Sequence, residues 1–145
     1  MNKEGFALIE LLVVLVIVAI LATIATPQLI KMIKRGYDAA ALSDIRNIKN
    51  TLEGYYAENQ RYPKGNWDEV KNDLGIDASH NVEVAYQGSA DAYGIATQHI
   101  YGKRVFATSS GTEYIWYKFK PCKFSAPNSG LNAAGFESQG WNRGF

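Results

Sequence analysis

From Phe6 to Ile30 the sequence reads FALIELLVVLVIVAILATIATPQLI, an apolar run of about 25 residues with a single charge, Glu10. At 1.5 Å per residue such a run is long enough to cross a hydrocarbon core of about 30 Å as a helix. Apolar side chains fall on every face, so it is not the one-sided surface helix of a soluble domain. Whatever else the chain does, this segment requires lipid or other protein around it. Roughly 110 residues remain for a soluble head, the lower end of the usual domain range. The 145 residues carry a formal net charge of only +1, and 47% of them are hydrophobic. That balance excludes a disordered tail and a uniformly basic nucleic-acid binder. A lone cysteine, Cys122, rules out an internal disulfide and a thiolate metal cluster, and His80 and His99 leave little material for His-based chemistry.

Three fates compete for the apolar run: a cleaved secretory signal, a permanent anchor, or a helix that leaves the membrane for a protein assembly. A secretory signal would have a shorter apolar region followed by an A-x-A-like site. Ala22 and Ala25 are one residue too far apart for that. Glu10 argues against a plain anchor, because an acid near the helix centre costs about 2.5–3.5 kcal/mol on insertion scales and less toward an interface. A cut between Gly5 and Phe6 would place a new positive α-amino group about one helical turn from Glu10, and the amine of a neighbouring copy could approach it more directly. Buried between subunits, such a pair fixes axial register, since a shifted neighbour leaves both charges uncompensated.

The leader MNKEG, the junction Gly5-Phe6 and the following FALIELLVV closely resemble type IV pilins and their relatives. The leader glycine, the phenylalanine after it and the glutamate four residues later all match the family's pattern. Pro27 stands where many pilins carry a helix-kinking proline. Ala7 departs from it, a threonine being more usual there. The resemblance is tight over about the first 30 residues and extends to the rest only in layout. It implies an α+β pilin fold: one long N-terminal helix, its hydrophobic first half protruding, and a small antiparallel sheet as head. Residues 1–5 would be a prepilin leader, 6–30 the transmembrane and filament-core helix, and 31–145 the amphipathic half of the helix with the globular head.

The implied life history is equally specific. A prepilin peptidase would cut after Gly5 and methylate the amine of Phe6. The precursor would wait in the inner membrane with its head on the outer side. An inner-membrane platform and cytoplasmic ATPases would then extract it into a helical homo-oligomeric filament on the cell surface, with Phe6 and Glu10 serving subunit assembly. Positive charge distribution alone points the other way: Lys3 precedes the run while Lys31, Lys34 and Arg35 follow it, which favours a cytoplasmic head. The orientation adopted here is that of the resemblance. The function expected is a pilus subunit for adhesion, twitching motility or DNA uptake. Its alternatives are a pseudopilin of a type II secretion or competence system and an unprocessed membrane-anchored binding domain.

Beyond Pro27 the pattern becomes amphipathic. Leu42, Ile45, Ile48 and Leu52, with Tyr55 or Tyr56, draw one apolar stripe, and Asp44, Arg46, Lys49 and Glu53 lie between them. Pro27 removes a backbone hydrogen bond and should kink or melt a turn. The helix is expected to end near Asn59, before Tyr62-Pro63. Running from Phe6, it would be about 80 Å long, more than a head of this size can bury. Asn66 and Glu69 predict a capped second helix stopped by Gly75, with Trp67, Val70 and Leu74 turned inward. Strands are expected over 82–86, 93–100, 104–108 and 113–119, joined by short turns into an antiparallel meander. The tail 121–145 resists assignment, and neighbouring subunits are one source of its order.

No catalytic constellation emerges. The two histidines lack any nucleophile signature, and no P-loop, CxxC pair or HExxH is present. Glu137 after Glu113 offers too few hard oxygen ligands for calcium, and Asp73, Asp77 and Asn81 read as a solvated loop. The expectation is a structural protein, not an enzyme, with no cofactor and no metal. Lys103, Arg104, Lys118, Lys120, Lys123 and Arg143 face only Glu113 and Glu137 in the C-terminal part. An ordinary solvated sheet edge is the first reading of this basic strip, followed by contact between neighbouring heads and, last, by DNA. The aromatic residues, 12% of the chain, read as core packing.

Overall fold

A computed structural model describes residues 3–144, with side chains from Ala7 onward. Met1 and Asn2 of the expected leader and the Phe6 side chain lie outside the described residues. The order of elements is α1 (Lys3–Asn59), α2 (Trp67–Leu74), β1 (Val82–Gly88), β2 (Tyr93–His99), β3 (Arg104–Ser109), β4 (Trp116–Phe119), α3 (Ala133–Ser138) and β5 (Asn142–Arg143). Contacts divide the chain into two units, Met1–Lys34 and Arg35–Phe145. The described residues of the first are all helix. The second is an α+β head, in which the second half of α1 backs a five-stranded antiparallel sheet of order β1-β2-β3-β4-β5.

Within the head, Ala41, Ile45, Ile48 and Leu52 recur on one face of α1 and are all buried. They meet Tyr93, Ile95 and Phe106 from the sheet and Ile115 just before β4, with Val70 of α2 closing the same core. Asn66 caps α2 through a complete capping box, its side chain accepting the Glu69 N–H while Glu69 reaches back to the Asn66 N–H, and Gly75 ends the helix at φ 65°. Helix α1 ends where expected. Gln60 takes φ 55°, which no α-helix can continue.

Strands β2 and β3 are buried on both faces. The second face carries Ala96, Ala107 and Trp116, which are cross-strand partners, together with Val105. The tail covers it: Phe136 of α3 is fully buried there, with Phe124, Leu131, Trp141 and Cys122 packed around it. Small side chains on this face let the tail approach closely. A Cβ at Gly94 would overlap the Pro127 carbonyl. The tail is thus ordered by its own sheet, and the expectation that neighbours order it is corrected. The sequence there lacks a periodic apolar pattern because three aromatic residues and one leucine, spread over many residues, do the covering.

Two further expectations change. The fourth strand begins at Trp116, not Glu113. The Glu113 carbonyl accepts from Lys49 Nζ and the Tyr114 carbonyl from Thr108 Oγ1, so side chains occupy the backbone groups a ladder would use. Asp44, expected among solvated charges, is buried and accepts from both the N–H and the hydroxyl of Ser79, each at 2.8 Å.

Candidate functional site

In the first unit every residue from Ala7 to Ile33 is exposed. The exposed large apolar side chains run from Leu8 through Ile33, and a window of this helix reaches a mean hydropathy of 3.1. By length and composition it is long and apolar enough to cross a membrane. Its polar groups are few and mostly absorbed by the helix itself. Thr23 and Thr26 donate their hydroxyls to the carbonyls of Ala19 and Ala22, one turn back, at 2.9 and 2.7 Å. Glu10 is exposed on this surface, four residues after Phe6. Gly5 and Phe6 fall within the backbone of α1. The helix is continuous through Pro27, so the proline melts no turn there. Pro27 brings no N–H to the carbonyl of Thr23, one turn earlier.

The surface is a smooth apolar cylinder with one carboxylate near its start. It suits burial against other apolar helices or lipid, and Glu10 is its one acidic side chain.

In the second unit a row of polar contacts clips α1 to the sheet. At its first turn Asp38 Oδ1 accepts the N–H groups of Lys103 and Arg104 at 2.8 and 3.0 Å. Next, the Ala41 carbonyl accepts from Thr97 Oγ1 at 2.8 Å. Lys49 Nζ donates to the carbonyls of Thr112 and Glu113 at 2.9 and 3.0 Å. Partial burial holds the Lys49 pKa below its usual range, although Glu53 and Glu113 pull it up. Glu53 accepts from the hydroxyls of Tyr62 and Tyr93, both at 3.0 Å. Burial, helped by the Glu53 carboxylate, pushes Tyr62 up to about 12 and Tyr93 further in the same direction. Such contacts make the second half of α1 an integral part of the head. Sequence reading missed Asp38, whose spacing from the apolar stripe is the only signal it gives.

The described residues bring no three His, Cys, Asp or Glu side chains together as a metal site. Of the basic residues singled out in the sequence, Arg143 is held on the Tyr114 ring at 3.7 Å and Lys118 on the Trp141 ring at 4.7 Å. Lys103, Arg104 and Lys120 gather where β3 begins and β4 ends, Arg104 pairing with Phe119 and the Lys120 N–H donating to the Lys103 carbonyl at 2.9 Å.

The family model of the prokaryotic N-terminal methylation motif matches residues 1–26. The chain carries a prepilin signature. It covers the Gly5-Phe6 junction, Glu10 and most of the exposed apolar helix, and it indicates a type IV pilin-like or pseudopilin precursor. The motif and the apolar helix together fit a membrane-anchored precursor that a prepilin peptidase processes. No curated protein matches the chain.

Proposed function

We propose that this chain is the repeating structural subunit of a type IV pilus. Prepilin peptidase cuts between Gly5 and Phe6, removing residues 1–5, and the Phe6 amine is methylated. Residues 6–30 then pass from the membrane into a helical filament core, with residues 31–145 displayed outward. Glu10 pairs with the Phe6 amine of a neighbouring copy, and Pro27 is the point at which the helix bends to follow the filament. The role is structural, not enzymatic. The observation that carries this reading is the apolar helical surface from Ala7 to Ile33, uncovered in a chain whose head closes a core of its own.

Lipid tails are as apolar as leucine, so leaving the membrane yields little hydrophobic gain. An external motor must supply the work, through the inner-membrane platform and ATPases. Polar pairing must then supply the register.

The test is to shear appendages from cells and take the intact mass and N-terminal sequence of this chain in the sheared and membrane fractions. An abundant sheared chain beginning at methylated Phe6 is the expected result. A chain retained in the membrane but cut at Phe6 would replace the pilus by a pseudopilus of a secretion or competence system. One still beginning at Met1 would leave an anchored binding domain. Glu10→Ala should leave insertion intact and abolish or mis-register filaments; normal filaments from it would sink the pairing.

A further inference from the structure

We propose that the end of the head where α1 enters it is a lipid-headgroup contact surface, which rests on anionic phospholipid while the chain is anchored in the membrane. This builds on the membrane-anchored precursor described above and adds a partner for the head.

Arg35 opens the head, two residues after Ile33, where the exposed apolar side chains of α1 stop. With the apolar run in lipid, chain continuity alone brings Arg35 to headgroup level. In the head, Arg35 and Arg104 line one open cavity of about 370 Å³ together with Asp38, Leu42 and Phe106. Asp38, the acid among these, is 8% exposed and already accepts two backbone N–H groups. The exposed charge at this cavity is therefore that of Arg35, while the half-buried Arg104 guanidinium lies over the Tyr117 and Phe119 rings at 4.9 and 5.3 Å.

The β2–β3 turn lies beside it. Tyr37 stacks on His99 at 4.4 Å, and Tyr101 leans against both rings at 5.8 Å. Yet Tyr101 remains 59% exposed, Ile100 41% and Phe119 55%, next to the exposed Lys103. All three belong to the same end of the sheet, because Arg104 pairs with Phe119 across β3 and β4. Lys120 adds a further cation there, its Nζ donating to the His99 carbonyl at 2.7 Å. Half-exposed aromatic and aliphatic residues ringed by lysine and arginine are what a membrane interface selects, apolar bodies sinking among headgroups while cations meet phosphate. The turn is also held rigid. Tyr101 N–H donates to His99 Nδ1, Gly102 N–H to the His99 carbonyl, and the next two N–H groups to Asp38. Such a surface is preformed and needs no ordering on contact.

The full chain would be placed in nanodiscs of phosphatidylcholine alone, or mixed with phosphatidylglycerol, each carrying a headgroup spin label. Isoleucine methyl signals report proximity: Ile100 at the surface, Ile95 and Ile115 as buried controls. Expected is several-fold stronger broadening of Ile100 with phosphatidylglycerol, reversed by high salt and lost in Arg35→Gln with Lys103→Gln, while the controls hold. Equal broadening in both lipids, or none, overturns the proposal and leaves the anchored-precursor reading standing. Loss of label contact as more chains share a disc, whatever the lipid, would assign the surface to a second head and also overturn it. A chain that enters neither disc refutes the anchored precursor, and this proposal falls with it.

Discussion

Replacing Phe136 by alanine tests whether the C-terminal tail belongs to the head of the single chain. Phe136 is fully buried. Its ring lies parallel to Trp116 at 5.4 Å and edge-on to Trp141 at 5.8 Å. The Phe136 N–H donates to the Asn132 carbonyl, and its own carbonyl accepts from Trp141 N–H, so the residue sits within α3 and ties it to the chain that follows. Removing a buried phenyl ring costs about 3–5 kcal/mol, of which about 0.5–1.5 kcal/mol reflects a lost aromatic pair. Against a usual total of about 5–15 kcal/mol this is a large share. For a head of this size each kcal/mol moves the midpoint by about 4 °C, so a fall of about 12–20 °C is expected. The assay is thermal and urea unfolding of the full, unassembled chain in detergent, followed by near-ultraviolet circular dichroism, to which Trp116 and Trp141 contribute. A change under about 1 kcal/mol in the unassembled chain would refute the reasoning. The tail would then be docked by neighbours, and the defect would surface only in filaments.

Other outcomes follow from the contacts of the head. Asp38→Ala removes a carboxylate that accepts two backbone N–H groups and should cost about 1.5–3 kcal/mol, with faster amide exchange at Lys103 and Arg104. Unchanged exchange at those two amides would contradict the geometry. Gly94→Ala drives a methyl group into the Pro127 carbonyl and should cost about 1–3 kcal/mol by lifting the tail, read as increased accessibility of Cys122 to a thiol reagent. Tyr62 is neutral in the folded head well above its unfolded pKa of about 10. Its contribution is whole below about pH 10 and is lost as pH rises toward about 12, so the urea midpoint should fall across that window. Tyr62→Phe should flatten part of that fall, and an identical profile in the variant would assign it to other groups.

What the sequence revealed and what it concealed divide along physical lines. The apolar run was legible because it is apolar on every face, and the stripe of Ile45, Ile48 and Leu52 because burial of one face imposes a period on consecutive residues. The capping box at Asn66 and Glu69 was legible because its partners are three residues apart. Asp44 and Asp38 were not, since the groups they satisfy, at Ser79 and at Lys103 and Arg104, lie far along the chain. An acid that will be buried against distant backbone looks the same in sequence as one in water. The second face of the sheet was hidden for the same reason: Ala96 and Ala107 read as weak strand residues until Phe136 covers them. At the candidate site, Gly5, Phe6 and Glu10 were found by motif, not by geometry. The tail's return had no local signature at all, and the basic residues near Lys103 showed in the sequence only as a charge imbalance.

Glu10 and Pro27 are best understood together, as the two places where the apolar helix departs from what a bilayer rewards. A carboxylate near the helix centre opposes insertion by about 2.5–3.5 kcal/mol, and less toward an interface. A proline in the helix interior withholds a donor from the Thr23 carbonyl, a cost that hydrocarbon cannot offset because it offers no donor of its own. The threonines nearby show the opposite economy, each closing its hydroxyl onto the preceding turn. A helix selected only to stay in lipid gains nothing from the carboxylate, whereas it tolerates a proline whose freed carbonyl finds a side chain or a neighbouring helix. Both departures become favourable or neutral once neighbouring protein supplies an amine for Glu10 and a donor or a bend for Pro27. On the pilus reading proposed above, a filament core is the environment that would supply both.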